Sequence, residues 1–180
     1  MDRVPFQATS GGARYQSLGQ LPVAVLLDNI RSLYNVGAFF RTGDAAAIEK
    51  LHLCGITGMP PRKEIAKTAL GAEATVAWEH HPGALDAIRT LRARDYEIAA
   101  VETSVHAVDL YDWTPRFPVC VIFGNEVEGL QPEVSALCDT YVRIPMLGLK
   151  HSLNVATAGG VVLYELLRKY RELAKVAAIP

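Results

Sequence analysis

Two uninterrupted apolar runs, Val23-Ala24-Val25-Leu26-Leu27 and Val119-Cys120-Val121-Ile122-Phe123, constrain the fold of this chain more than any other feature. A strand with one wet face alternates polar and apolar residues. A run without alternation suits a strand covered on both faces, as in a parallel sheet. Further strand patterns are Leu51-His52-Leu53-Cys54, ended by Gly55, then Ala74–Trp78, Tyr96–Val101 and Tyr141–Ile144. Helical patterns separate them. One begins near Asn35, a plausible N-cap, with the stripe Val36, Phe39, Phe40, Gly43 and Ala47. A short one starts at Pro60-Pro61 and runs through Lys67. Another spans Gly83 to Arg94, and a fourth Pro132 to Cys138, with its proline in the first turn. Strands alternating with helices predict an α/β fold, a mainly parallel sheet flanked by helices.

The last helix is expected from Ser152 to Ala174, with Ser152 as its N-cap. It is apolar on two sides: Val155, Gly159, Val162, Leu166 and Tyr170 form one stripe, and Leu153, Ala156, Gly160, Leu163 and Leu167 the other. One side can cover the sheet and the second requires another partner. Gly159-Gly160 costs helix stability, about 1 kcal/mol per glycine against alanine, which suggests close approach of a backbone or ligand. The reading is a homodimer interface, the alternative intramolecular packing alone.

Residues 1–20 are polar, glycine-rich and without period, and are expected to form a flexible arm before a single domain over 21–180. No apolar run reaches membrane-spanning length and the N-terminus has no secretory pattern, so a cytoplasmic protein without a membrane partner is expected. Cys54, Cys120 and Cys138 stand far apart in apolar contexts, as buried free thiols do. The five histidines offer no metal-ligand spacing, and His80-His81 suits a solvated strand end, so no metal is expected. Net charge is −1, yet residues 1–70 carry 8 Lys/Arg against 5 Asp/Glu and residues 71–180 carry 10 against 14. Arg3, Arg14, Arg31, Arg41, Arg62, Lys63 and Lys67 could form a basic face, compatible with phosphate contacts.

Three segments carry the chemistry. The first is Asn35-x-Gly37-x-x-x-Arg41. The second is Phe123-Gly124-Asn125-Glu126-x-x-Gly129, a glycine-bounded loop after a strand. The third is Ile144 to Asn154, an extended proline-containing stretch that enters a helix N-terminus, where unpaired N–H groups commonly hold a ligand. The loop is neither a P-loop nor a dinucleotide fingerprint. In this order and spacing, the three segments resemble the motifs of the SpoU (TrmH-like) RNA ribose methyltransferases of the SPOUT superfamily, from about Val23 to Arg168.

The resemblance implies a C-terminal trefoil knot, a homodimer formed near the cofactor site, and methyl transfer from S-adenosylmethionine to a ribose 2′-hydroxyl of RNA. It implies that Gly124, Asn125 and Gly129, with Ile144, Met146 and Leu153, line the cofactor pocket, and that Thr103 touches the cofactor. It makes Arg41 the catalytic residue, with Asn35, Glu126, Ser152 and Asn154 in the same site. A guanidinium is always charged, so Arg41 suits a phosphate clamp that stabilises the developing 2′-oxyanion better than a base. Glu126 as a direct base would be a weak one. Lys150-His151 departs from the acidic residues often found before the serine. The chain is also expected to lack the separate RNA-binding domain and C-terminal extension of some members. Transfer RNA is the expected substrate, with ribosomal RNA second. A non-catalytic RNA-binding protein of the same fold and a small-molecule enzyme with a nucleotide cofactor are the rivals.

Overall fold

A computed structural model describes residues 19–177; the arm expected over 1–20 lies almost wholly outside them. The strands are β1 (Leu21–Asp28), β2 (Ile48–Cys54), β3 (Trp78–His81), β4 (Glu97–Val101), β5 (Val108–Asp109), β6 (Val119–Phe123) and β7 (Thr140–Arg143). The helices are α1 (Leu33–Ala46), α2 (Lys63–Ala69), α3 (Ala84–Ala93), α4 (Pro132–Ser135) and α5 (Val155–Ala177), with a 3₁₀ turn at Ala72–Ala74. The strands form one sheet in the order β3-β2-β1-β6-β4-β7-β5, and every neighbouring pair is parallel.

The two apolar runs lie side by side at its centre, Val23 opposite Val119 through Leu27 opposite Phe123. Alternate residues of β1 feed two cores. Val23, Val25 and Leu27 pack with Phe39 and Phe40 of α1 and Val162, Leu163 and Leu166 of α5. Ala24 and Leu26 pack with Ala87, Ile88 and Leu91 of α3 and Val134 of α4. Burying one such large apolar side chain contributes about 1.5–3 kcal/mol. Burial pushes the Cys54 thiol up to about 12 and the Cys138 thiol to about 11, so these free cysteines stay protonated.

Several boundaries differ from the sequence reading. Ser32, not Asn35, caps α1: its hydroxyl accepts from the Asn35 N–H at 3.3 Å. Ala46 takes the inward place expected of Ala47, which leaves the helix in the left-handed region. Helix α2 begins after the prolines, at Lys63, because Arg62 is still extended. The strand expected at Ala74–Trp78 is instead Trp78–His81. Gly71 turns the chain at φ +95° and a 3₁₀ turn follows, so pairing with β2 starts only where Trp78 meets Leu51. Helix α4 stops at Ser135, and the two-residue β5 was not expected. Helix α5 starts at Val155, with Asn154 rather than Ser152 at its head: Asn154 Oδ1 accepts from the N–H groups of Ala156 at 2.9 Å and Thr157 at 3.3 Å.

The two glycines of α5 differ. A Cβ on Gly159 would lie 2.3 Å from Cε1 of Phe39, a fully packed ring that also meets Phe123 at a centroid distance of 5.0 Å. Gly159 therefore lets α5 lie against α1, against a ring rather than a backbone. A Cβ on Gly160 would meet nothing within 4 Å. Gly159→Ala should destabilise the protein by about 1–3 kcal/mol, since a packed core resists added volume. Gly160→Ala should stabilise it by about 0.5–1 kcal/mol through helix propensity. Urea denaturation of the two variants checks this; equal effects of the same sign would contradict the packing described.

Candidate active site

The carboxyl ends of β4, β6 and β7 meet the N-terminus of α5 around a cavity of about 660 Å³. Ligands of open α/β sheets bind outside the carboxyl ends of strands, and this volume suits a nucleoside-sized ligand. Its apolar floor is Val101, Phe123, Ile144, Val155 and Ala158; its rim carries Thr103, Glu126, Glu128, Ser152 and Asn154.

The loop after β6 is shaped by its own hydrogen bonds. Asn125 Oδ1 accepts from the N–H groups of Val127 at 2.9 Å and Glu128 at 3.1 Å, and the Gly129 N–H donates to the Asn125 carbonyl at 2.9 Å. Gly129 sits at φ +68°, where a side chain is strained. A Cβ on Gly124 would lie 2.8 Å from the Gly129 carbonyl carbon, so the two glycines allow the loop to close on itself. Glu102 holds the far end, accepting from the Leu130 N–H at 3.0 Å.

A second set of bonds joins three separate elements. Asn154 Nδ2 donates to Asn35 Oδ1 at 3.2 Å, and Asn35 Nδ2 donates to Glu126 Oε1 at 3.1 Å. Because Ser32 does the capping, the Asn35 side chain is free for this role. The chain of bonds ties the start of α1, the β6 loop and the start of α5 across 91 and 119 residues of sequence. Each bond at an exposed site is worth only about 1 kcal/mol, but linked bonds polarise one another and orient the rim.

Asn29, which the sequence reading did not single out, anchors the same loop from β1. In the left-handed region at φ +58°, it accepts from Asn125 Nδ2 on its carbonyl at 3.0 Å and donates to Asp28 Oδ1 at 3.0 Å. Burial pushes the Asp28 carboxyl above its usual range. The only sequence signal was an asparagine directly after an apolar strand, a residue type that tolerates this backbone.

Of the expected site residues, Thr103, Gly124, Asn125, Glu126, Gly129, Ile144, Met146, Ser152, Leu153 and Asn154 line the cavity, and Asn35 reaches its rim through Glu126 and Asn154. Arg41 does not. It lies exposed on α1, six residues beyond Asn35, about 9 Å along the helix and two thirds of a turn around from it. Among the described residues none hydrogen-bonds or ion-pairs with its guanidinium. Gly37 has a packing role: a Cβ there would lie 2.4 Å from the Ile65 carbonyl oxygen, so this glycine brings α1 against α2.

Residues 22–164 match the model of the SpoU rRNA methylase family. The chain belongs to the SpoU family. A tRNA (guanosine(18)-2′-O)-methyltransferase of Thermus thermophilus is 34% identical over 150 residues, 83% of this chain and 76% of the relative. Among solved structures, the TrmH/SpoU tRNA modifying enzyme of A. aeolicus superposes with a TM-score of 0.77 at 28% identity, covering 89% of this chain and 84% of the other. An AdoMet-bound rRNA methyltransferase from Sinorhizobium meliloti gives a TM-score of 0.76 at 31% identity, covering 81% of this chain and 56% of that one.

The SpoU cavity fits S-adenosylmethionine on its own chemistry. The apolar floor accepts a flat adenosyl group, and Glu126 and Glu128 put negative charge at the rim for a sulfonium and an ammonium. If the Asn154–Asn35–Glu126 chain organises this pocket, Asn154→Asp separates organisation from stability. Aspartate caps a helix as well as asparagine, so the melting temperature should hold. It cannot donate to Asn35, so affinity for S-adenosylhomocysteine should fall about tenfold, or ~1.4 kcal/mol. Calorimetry giving unchanged affinity would show that the pocket does not need this tie.

Proposed function

We propose that the protein transfers a methyl group from S-adenosylmethionine to a ribose 2′-hydroxyl of RNA, with transfer RNA as the first reading. The chain is then a SAM-dependent RNA 2′-O-ribose methyltransferase, built as one SPOUT domain from residue 21 onward and carrying the family's C-terminal knot. The observation that carries the reading is that the second and third SpoU segments line one cavity and that Asn35 of the first joins them by hydrogen bonds to Glu126 and Asn154. The name of the Thermus relative favours tRNA. The S. meliloti structure keeps ribosomal RNA as the second reading. Among the described residues no helix is long and apolar enough to cross a membrane, which is compatible with a cytoplasmic enzyme.

S-adenosylmethionine supplies an electrophilic methyl group when bound. The protein has to hold the ribose oxygen in line with it, with reacting atoms about 3 Å apart. The Gly124–Gly129 loop, Thr103, Ile144, Met146 and Leu153 form the cofactor wall. Glu126, Ser152 and Asn154 orient substrate and cofactor. Arg41 clamps the phosphate beside the target ribose and stabilises the 2′-oxyanion, while the proton leaves through phosphate or water. A homodimer fits the outer side of α5, where Tyr164 is exposed beside the open Gly160, and fits Leu147, Leu149 and Leu153 in the segment before it, which are exposed. In such a dimer, or across bound RNA, the distance from Arg41 to a cavity is bridged by a second molecule.

Arg41→Ala should lower turnover by about 10²–10³ while cofactor affinity stays within about twofold, the signature of a contact made only in the transition state. Arg41→Lys should recover little, because an ammonium lacks the bidentate fork. Single-turnover assays with calorimetry on the same variants check this. Near-normal turnover in Arg41→Ala would remove Arg41 from the chemistry.

A further inference from the structure

Outside the methyltransferase cavity, the register of the sheet edge brings three ligand-type atoms together. Strands β2 and β3 pair with His52 opposite Glu79 and Cys54 opposite His81. Side chains alternate along a strand, so Glu79 and His81 share a face with His52. His52 Nδ1 lies 3.0 Å from Glu79 Oε1 and 3.1 Å from His81 Nε2, and His81 Nε2 lies 3.3 Å from Glu79 Oε1. The three atoms form a nearly equilateral triangle. His80, the other half of the pair seen in the sequence, points away, with Nε2 3.2 Å from the Gly55 carbonyl.

Protons alone do not satisfy this triangle. A carboxylate oxygen only accepts. If both rings donate to Glu79, their N–H groups face each other at the third edge. If His52 donates to His81, the lone pair of His81 faces the carboxylate. A cation satisfies all three edges. Tetrahedral zinc with bonds of about 2.0–2.1 Å holds its ligand atoms about 3.3 Å apart. An ion at that distance from each atom stands about 1 Å off their plane, with a fourth position for water. Two imidazoles and one carboxylate form a donor set that first-row metals accept.

We propose that His52 Nδ1, Glu79 Oε1 and His81 Nε2 bind one divalent transition-metal ion of the zinc type. His52 is the buried member of the triangle, behind the partly exposed Glu79 and His81. Its Nε2 is buried and has no hydrogen-bond partner among the described residues. Lys50 Nζ, 3.5 Å from Glu79 Oε2, engages the outer carboxylate oxygen and leaves Oε1 to the site. The role is structural. The ion pins the four-residue edge strand β3 to β2, on the far side of β1 from the strands that form the cavity.

The test uses the full chain, stripped with a chelator and titrated with Zn²⁺ by calorimetry and with Co²⁺ by visible absorption. One equivalent should bind with a tetrahedral-type Co²⁺ spectrum and a raised melting temperature. His81→Gln and Glu79→Gln, at partly exposed positions that should still fold, should each weaken binding at least about tenfold. His80→Gln, His106→Gln and His151→Gln should bind as the parent does. Absence of binding at about 100 μM Zn²⁺ would overturn the proposal. So would binding that survives both His81→Gln and Glu79→Gln, since the metal would then sit elsewhere.

Discussion

The parallel pairing of β1 with β6 is the constraint on which the remaining structure depends. Val23–Leu27 and Val119–Phe123 have no polar side chain to offer water, so both faces of the sheet centre must be covered. That need recruits α1 and α5 to one face and α3 and α4 to the other. Parallel pairing also points the strand ends one way. The loop after Phe123, the turn after Val101 and the segment after Arg143 therefore emerge at the same edge, and the cavity forms there.

The site is held by contacts that are individually weak. Asn35, Glu126 and Asn154 come from elements far apart in sequence, and each bond between them is an exposed side-chain bond. What gives them direction is the rigid frame behind them. Phe39 packs on Phe123 and against Gly159, so α1, β6 and α5 are fixed to one another one layer below the rim. Polar groups on loops are then presented by packed apolar residues, the division of labour expected of a preorganised site.

Much of this was legible in the sequence, and the limits have physical causes. Apolar runs identify buried strands because burial on two faces leaves no other composition. The glycine-bounded loop and the helix start were visible for the same local reason. Cap residues were not. Ser32 and Asn35 are both good N-caps, as are Ser152 and Asn154, and the choice depends on a partner such as Glu126 that lies 91 residues away. The start of β3 shifted from Ala74 to Trp78 because strand ends are set by what they pair with. The triangle of His52, Glu79 and His81 has no recognisable spacing, since register rather than sequence distance creates it. Arg41 shows a different limit. Its motif marks it as important, while its place on α1 shows that the fold of this chain does not bring it to the cavity wall.

The most direct test of the account identifies the methylated atom. Unmodified tRNA incubated with the purified protein and isotope-labelled S-adenosylmethionine, then digested to nucleosides and separated by mass spectrometry, reports where the methyl group went. The account predicts one labelled 2′-O-methyl nucleoside, abolished when the target ribose is replaced by its 2′-deoxy form. Label on a base, or label that persists on the deoxy RNA, would contradict ribose methylation.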